Sequence, residues 1–395
     1  MPSIPATGRL EFGLFLAPFH PVGQNPTVAL QRDLDLITRL DELGYAEAWI
    51  GEHHSAGFEI IASPEVFIAT AAERTRRIRL GTGVSSLPYH HPFMLADRMV
   101  LLDHLTQGRI MLGCGPGALP SDAYMMGIDP LRQREMMEES LEAIIALLSG
   151  EGRVTRVTDW FTRREACLQL RPYSPGGIEI GVAAQVSPAG PRAAGRFGAS
   201  LLSLGATSTG GFDVLGSHWQ VMEERAEQFG TTVDRNRWRL VGPMHIAETE
   251  AQARRDVEYG LGQWVDYFTR VAAGGTTVAE MIDTMNATGL TVIGTPEMAA
   301  AQIRRLQEQS GGFGTYLFMG HEWADREATL ASYELFARDV MPQFQGSVPT
   351  LVEARDWAAA NREQFMGGAI GAISKAIEEH RAEREAMGTE PATPR

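Results

Sequence analysis

Short β-branched or apolar runs alternate with amphipathic helical stretches along almost all of this 395-residue chain. That alternation limits the fold more than composition does. Strands separated by helices pair in parallel, because a parallel return needs a crossover long enough to hold a helix. Candidate strands are 11–17, 45–51, 78–84, 109–115, 178–184, 200–205, 238–246 and 314–320, eight in all. Between the first two, Leu30, Leu34, Ile37 and Leu40 recur at three- and four-residue spacings over Thr27 to Leu43, with Gly44 as a stop. This pattern predicts a core-facing helix and its C-terminal cap. Similar patterns occupy Glu65 to Arg77, Phe93 to Leu105, Leu131 to Leu148, Phe212 to Phe229 and Met298 to Gln309. With no repeat of solenoid period, order and count favour an α/β fold of the (β/α)8 TIM-barrel type over residues 8–345, rather than a doubly wound sheet.

Two connections exceed what a plain barrel needs. In 151–177, alternating Val154, Val157, Phe161, Leu168 and Leu170 lead to Tyr173-Ser174-Pro175-Gly176-Gly177, which predicts a hairpin insertion. The stretch 249–294 is helical with a break at Gly274-Gly275, long enough to cover a rim as a lid. Residues 346–395 read as a C-terminal helical tail that ends in polar coil.

Charge and cysteine content exclude several roles. A net charge of -14 leaves no basic face for nucleic acid. No run of about 18 apolar residues is present to cross a bilayer, and Met1-Pro2-Ser3-Ile4-Pro5 lacks a charged-then-apolar signal pattern, so the expected location is the cytoplasm. Cys114 and Cys167 fit no zinc spacing and read as free thiols.

Chemistry concentrates where predicted strands end. After Tyr45-Ala46-Glu47-Ala48-Trp49-Ile50 comes Gly51-Glu52-His53-His54. Neighbours on an extended backbone point to opposite faces, so one imidazole should meet a barrel mouth while the other turns into the surrounding layer. Catalysis or cofactor contact, a structural hydrogen bond and a metal site all remain open, although zinc would need ligands from distant segments. Gly83, Ser85 and Ser86 would let a flat ring approach the third strand. Gly113-Cys114-Gly115-Pro116-Gly117 is not the GxGxxG of a dinucleotide fold, and reads as a tight turn or as a bare strand end for a planar ligand at Gly115. Gln185-Val186-Ser187-Pro188-Ala189-Gly190 predicts a helix start with Ser187 as cap, whose free N–H groups could hold an anion. Arg134, opening the helix after strand four, could grip the same phosphate. The His91-Pro92 pair reads as turn punctuation.

Taken together, Phe12-Gly13, Glu52-His53-His54, Leu80-Gly81-Thr82-Gly83, Leu87-Pro88, His91-Pro92, Leu101-Leu102-Asp103, Gly108-Arg109, Ser187-Pro188-Ala189-Gly190 and Gly294-Thr295-Pro296-Glu297 resemble the bacterial luciferase-like family of flavin-dependent monooxygenases. The likeness runs from Glu11 to Phe344 and leans toward the limonene monooxygenase branch. It implies a barrel that uses reduced FMN and O2 on a small apolar substrate, with His53 as the active-site histidine and Asp122 as an acidic residue of the loop after strand four. Arg134 and Ser187 fall at phosphate-side positions, and the Gly83–Val84 peptide falls where the family can carry a non-proline cis bond. The luciferases keep an arginine where this chain has Pro116, which shifts weight to Arg134 and backbone donors. With one barrel and no dinucleotide-binding fold, reduced flavin is expected from a separate NAD(P)H-dependent reductase. A homo-oligomer is expected. An F420-dependent dehydrogenase on the same barrel is the alternative, with a metal-dependent hydrolase and a flavin-sequestering protein less favoured.

Overall fold

Eight parallel strands close on themselves. In a computed structural model that describes residues 9–388 apart from 18, 151 and 270–277, the strands are β1 (Glu11–Leu16), β2 (Glu47–Ile50), β3 (Arg79–Thr82), β4 (Ile110–Gly115), β5 (Glu179–Ala184), β6 (Ser200–Ser203), β7 (Trp238–Gly242) and β8 (Thr315–Met319). Their order around the sheet is β3-β2-β1-β8-β7-β6-β5-β4, and Leu80 pairing with Ile110 joins β3 to β4. Residues up to Gln345 form one compact unit and those from Gly346 a second.

The barrel interior is filled by Phe15, Trp49, Met111, Leu202, Val241 and Leu317, one from each of β1, β2, β4, β6, β7 and β8. Trp49 is fully buried there, and a Cβ at Gly81 would sit 2.5 Å from its ring. Glycine on β3 is therefore a packing requirement. At the strand starts, buried Arg239 spans Glu47 (Nη2–Oε1 2.6 Å) and Glu179, while Trp49 Nε1 donates to Glu47 at 2.9 Å. Burial alone would raise the Glu179 carboxyl, but Arg239 and then Arg79 hold it well below the usual carboxylate range.

The helices follow local chemistry. Pro26–Leu43 begins where Asn25 Oδ1 accepts from Thr27 N (3.0 Å) and stops at left-handed Gly44, φ 85°. His91 caps Pro92–Leu105 by accepting from Phe93 N at 3.3 Å, so the His-Pro pair does start a helix.

Several expected elements divide or shorten, three of them instructively. The strand expected over 238–246 splits, because Pro243 lacks the N–H that would continue the ladder; Met244–Ile246 instead pairs with Val292–Gly294. The helix expected over 212–229 is two, Thr209–Asp213 and Leu215–Phe229, separated at Val214. The strand expected over 200–205 ends at Ser203.

Within 151–177, Val154–Val157 and Thr162–Ala166 form an antiparallel pair. Within 249–294 lie helices Glu250–Val257, Leu261–Thr269 and Val278–Thr288; the Gly274-Gly275 break falls outside the described residues. Ala253, Val257, Leu261, Ile282, Met285 and Ile293 bury a small core there with Trp323. The second unit holds helices Pro349–Ala360 and Arg362–Ala386; the polar end expected beyond Gly388 falls outside the described residues.

Candidate active site

The whole of β2 is buried, and the polar cluster Glu52-His53-His54 begins one residue past its end, after Gly51. Glu52 is 3% exposed, which is costly for a carboxylate unless its oxygens are met. They are met: Oε1 accepts from His54 Nε2 (3.0 Å) and His90 Nε2 (2.8 Å), and Oε2 from the backbone N of Ser86 (2.7 Å). His54 thus turns inward to hydrogen-bond a neighbour.

His53 turns elsewhere. Its Nδ1 lies 3.2 Å from Asp122 Oδ2 and its Nε2 3.0 Å from Glu59 Oε2. Burial alone would lower its pKa, but the Glu59 carboxylate and then Asp122 outweigh that and raise it. A carboxylate within ion-pair distance of each nitrogen favours the protonated form of the ring relative to a free imidazole. Asp122, on the short helix Pro120–Met125, is 1% exposed; its Oδ1 also accepts from His54 N (3.2 Å) and Ser55 Oγ.

Glu59 has no counterpart in the sequence reading. Its loop is held by the one after β1: Phe19 pairs with Glu59 in an isolated bridge, Phe58 stacks on Phe19 (5.1 Å between centroids, 11° between planes), and His20 N donates to Phe58 O at 3.1 Å. His20 is itself anchored, Nε2 to Asp33 at 2.9 Å and Nδ1 to Glu322 at 2.7 Å. Although burial works against it, these two carboxylates raise its pKa to about 9.

Beside this cluster, a cavity of about 400 Å³ opens at the ends of β4 and β5, within the size range of small-molecule sites. Its wall brings together Val84, Gly115, Arg134, Gln185, Ser187 and Gly190, six of the ten residues singled out from sequence. Gly83 and Ser85 are buried next to Val84 without lining it, and His53 and Asp122 stand outside its wall. The two groups share the loop after β4: Gln133 Nε2 donates to Pro116 O (2.8 Å) and to the Tyr89 hydroxyl (3.3 Å), and the Tyr89 ring meets His54 at 5.9 Å.

One expectation needs correcting here. Ser187 caps nothing: the helix Ala189–Phe197 starts from Pro188, and no side chain caps it. Ser187 is instead a wall residue. Gly115 lines the cavity with its backbone, and a Cβ there would meet Val84 Cγ2 at 2.6 Å. Gly190 must be bare for a similar reason, since a Cβ would run into the Ala183 carbonyl.

The donor set suits a flavin phosphate and ring. Arg134 has no ion-pair partner among the described residues, whereas Glu138 beside it is engaged by Arg196 at 3.0 Å. Ser85 Oγ is buried without a hydrogen bond, and the Gly83–Val84 peptide is cis. A buried hydroxyl left without a partner costs about 1–3 kcal/mol. Burial pushes the Cys114 thiol far up, which makes it a poor nucleophile. No cluster of three or more metal-ligating side chains occurs among the described residues.

Known proteins agree with this geometry. A family model described as luciferase-like monooxygenase matches residues 10–312. The chain is 53% identical over 344 residues to limonene 1,2-monooxygenase of Rhodococcus erythropolis, covering 86% of this chain and 88% of that one. It is 47% identical over 365 residues to 4-hydroxyprotoasukamycin monooxygenase of Streptomyces nodosus subsp. asukaensis, covering 89% and 96%. Among solved structures, the oxygenating constituent of 3,6-diketocamphane monooxygenase from Pseudomonas putida, in complex with FMN, superimposes with a TM-score of 0.72 at 26% identity, covering 85% of this chain and 99% of that one.

Proposed function

The chain belongs to the luciferase-like monooxygenase family, and from that footing we propose that it takes reduced FMN from a separate NAD(P)H-dependent reductase and uses O2 to oxygenate a small apolar substrate, with a cyclic terpene such as limonene first in line. The observation that carries the cofactor is the cavity wall itself. It holds an arginine without an ion-pair partner among the described residues, beside an amide and a hydroxyl, a set of donors for a phosphate and a polar ring edge. The limonene reading rests on the 53% identity.

Reduced flavin, when bound, supplies the electrons that activate O2. The chain's own residues do the rest. Arg134 would neutralise the phosphate, with Ser187 and Gln185 donating to the same end of the ligand. His53, whose protonated form the two carboxylates favour, is the residue that would hold and move a proton. Asp122 fixes Nδ1 and is itself fixed by His54 N and Ser55, so it orients the ring. The freer carboxylate is Glu59 on its loop, which makes Nε2 the atom from which a proton moves. A single barrel with no nucleotide-binding domain among its described elements supports the separate reductase.

Arg134→Ala tests the grip. It should weaken FMN by roughly 1.5–3 kcal/mol, the usual worth of a hydrogen bond to a charged group, and leave riboflavin nearly unchanged. Equal weakening of both, measured by anaerobic titration, would place the phosphate elsewhere.

A further inference from the structure

The second unit carries a feature that the chemistry above does not use. On the helix Arg362–Ala386, Met366, Ile370, Ile373 and Ile377 follow a four-three-four spacing and are 51%, 59%, 61% and 63% exposed. Four large apolar side chains so spaced make one continuous stripe, the a/d seam of a coiled coil. At 1.5 Å per residue this helix is roughly 37 Å long. Gly367, Ala369, Ser374 and Ala376 flank the stripe, small residues that let a second helix come close.

The charges beyond the stripe choose the partner and its direction. The heptad frame set by Ile370 and Ile373 continues to Glu363 at one end and His380 at the other, with Arg362 and Glu383 on the same flank. In a parallel pair, Glu363 would face the partner's Glu363. In an antiparallel pair, Ile370 meets the partner's Ile373 and Met366 the partner's Ile377. The same register sets Glu363 against the partner's His380 and Arg362 against the partner's Glu383, twice over by symmetry. Apolar layers and opposite charges then agree in one register.

We infer that this helix pairs antiparallel with the same helix of a second copy of the chain. Sedimentation of the full-length protein at micromolar concentration tests it. Ile370→Glu combined with Ile373→Glu should halve the assembly mass while the melting curve of the barrel stays in place, because neither side chain is buried. Charge exchange tests the direction. Arg362→Glu and Glu383→Arg should each weaken association several-fold at low salt, and the double variant should restore it. A wild-type monomer, an unchanged mass in the Ile370/Ile373 variant, or a double variant no stronger than the singles would each overturn the inference.

Discussion

His53 sits between two acids of unequal freedom, and that inequality sets what substitutions should do. His53→Ala removes the proposed proton donor. Turnover should fall by ~10²–10⁴, as is common for general acid–base groups, with FMN affinity within a few-fold of wild type. Oxygen uptake should persist as hydrogen peroxide while product falls, so an oxygen electrode and a peroxide assay read the uncoupling. Full coupled turnover in this variant, with loss in His54→Ala, would reverse the assignment of the two imidazoles. Glu59→Gln is the subtler change. Of the two carboxylates, Glu59 does more to raise the His53 pKa, so its loss should lower it. Activity that needs the charged ring will then fall at lower pH than in wild type, and the alkaline limb of the rate profile should move toward acid. An unmoved limb would leave Glu59 with no part in the reaction. His53 could be picked out because it follows closely on an apolar run; Glu59 could not, since it is contacts with the loop after β1, the Phe19–Glu59 bridge and the stacking of Phe58 on Phe19 among them, that bring it back to the ring. His90 escaped for the same reason, meeting Glu52 across 38 positions of sequence with no spacing rule to announce it.

At the scale of elements, the loop after β1 positions Glu59, and its own anchor is His20. The unfolded imidazole titrates near 6.5, while in the fold it is raised to about 9 by Asp33 and Glu322. Protonation therefore favours the folded state. The contribution is whole below about pH 6.5 and is lost as the pH rises through about 9. The melting temperature should drop by a few degrees between pH 7 and pH 10, and His20→Gln should lie lower at pH 7 with a flatter pH dependence. Parallel curves for the two proteins would remove His20 from the account. Elements were readable from sequence where a local period spoke for itself, as in Leu30, Leu34, Ile37 and Leu40 with Gly44 behind them. Misreadings cluster where one residue interrupts a run that is otherwise apolar, as Pro243 does in 238–246. Ser187 before proline has the composition of a cap, but Pro188 itself takes the position from which the helix starts.

Across the barrel the division of labour follows the strand direction. The starts of β2, β5 and β7 are closed by Glu47, Glu179 and Arg239, while the ends of β2, β4 and β5 lead to the histidine cluster and the cavity, the face on which barrels of this kind carry out chemistry. The central claim is that this face spends externally reduced FMN and O2 on a small apolar molecule. A single turnover decides it. The protein is loaded anaerobically with reduced FMN and limonene, exposed to ¹⁸O2, and the product is analysed by mass spectrometry. The account predicts one ¹⁸O per product molecule, with no NAD(P)H or reductase in the vessel. Product without label, or turnover with reduced F420 but none with reduced FMN, would contradict it.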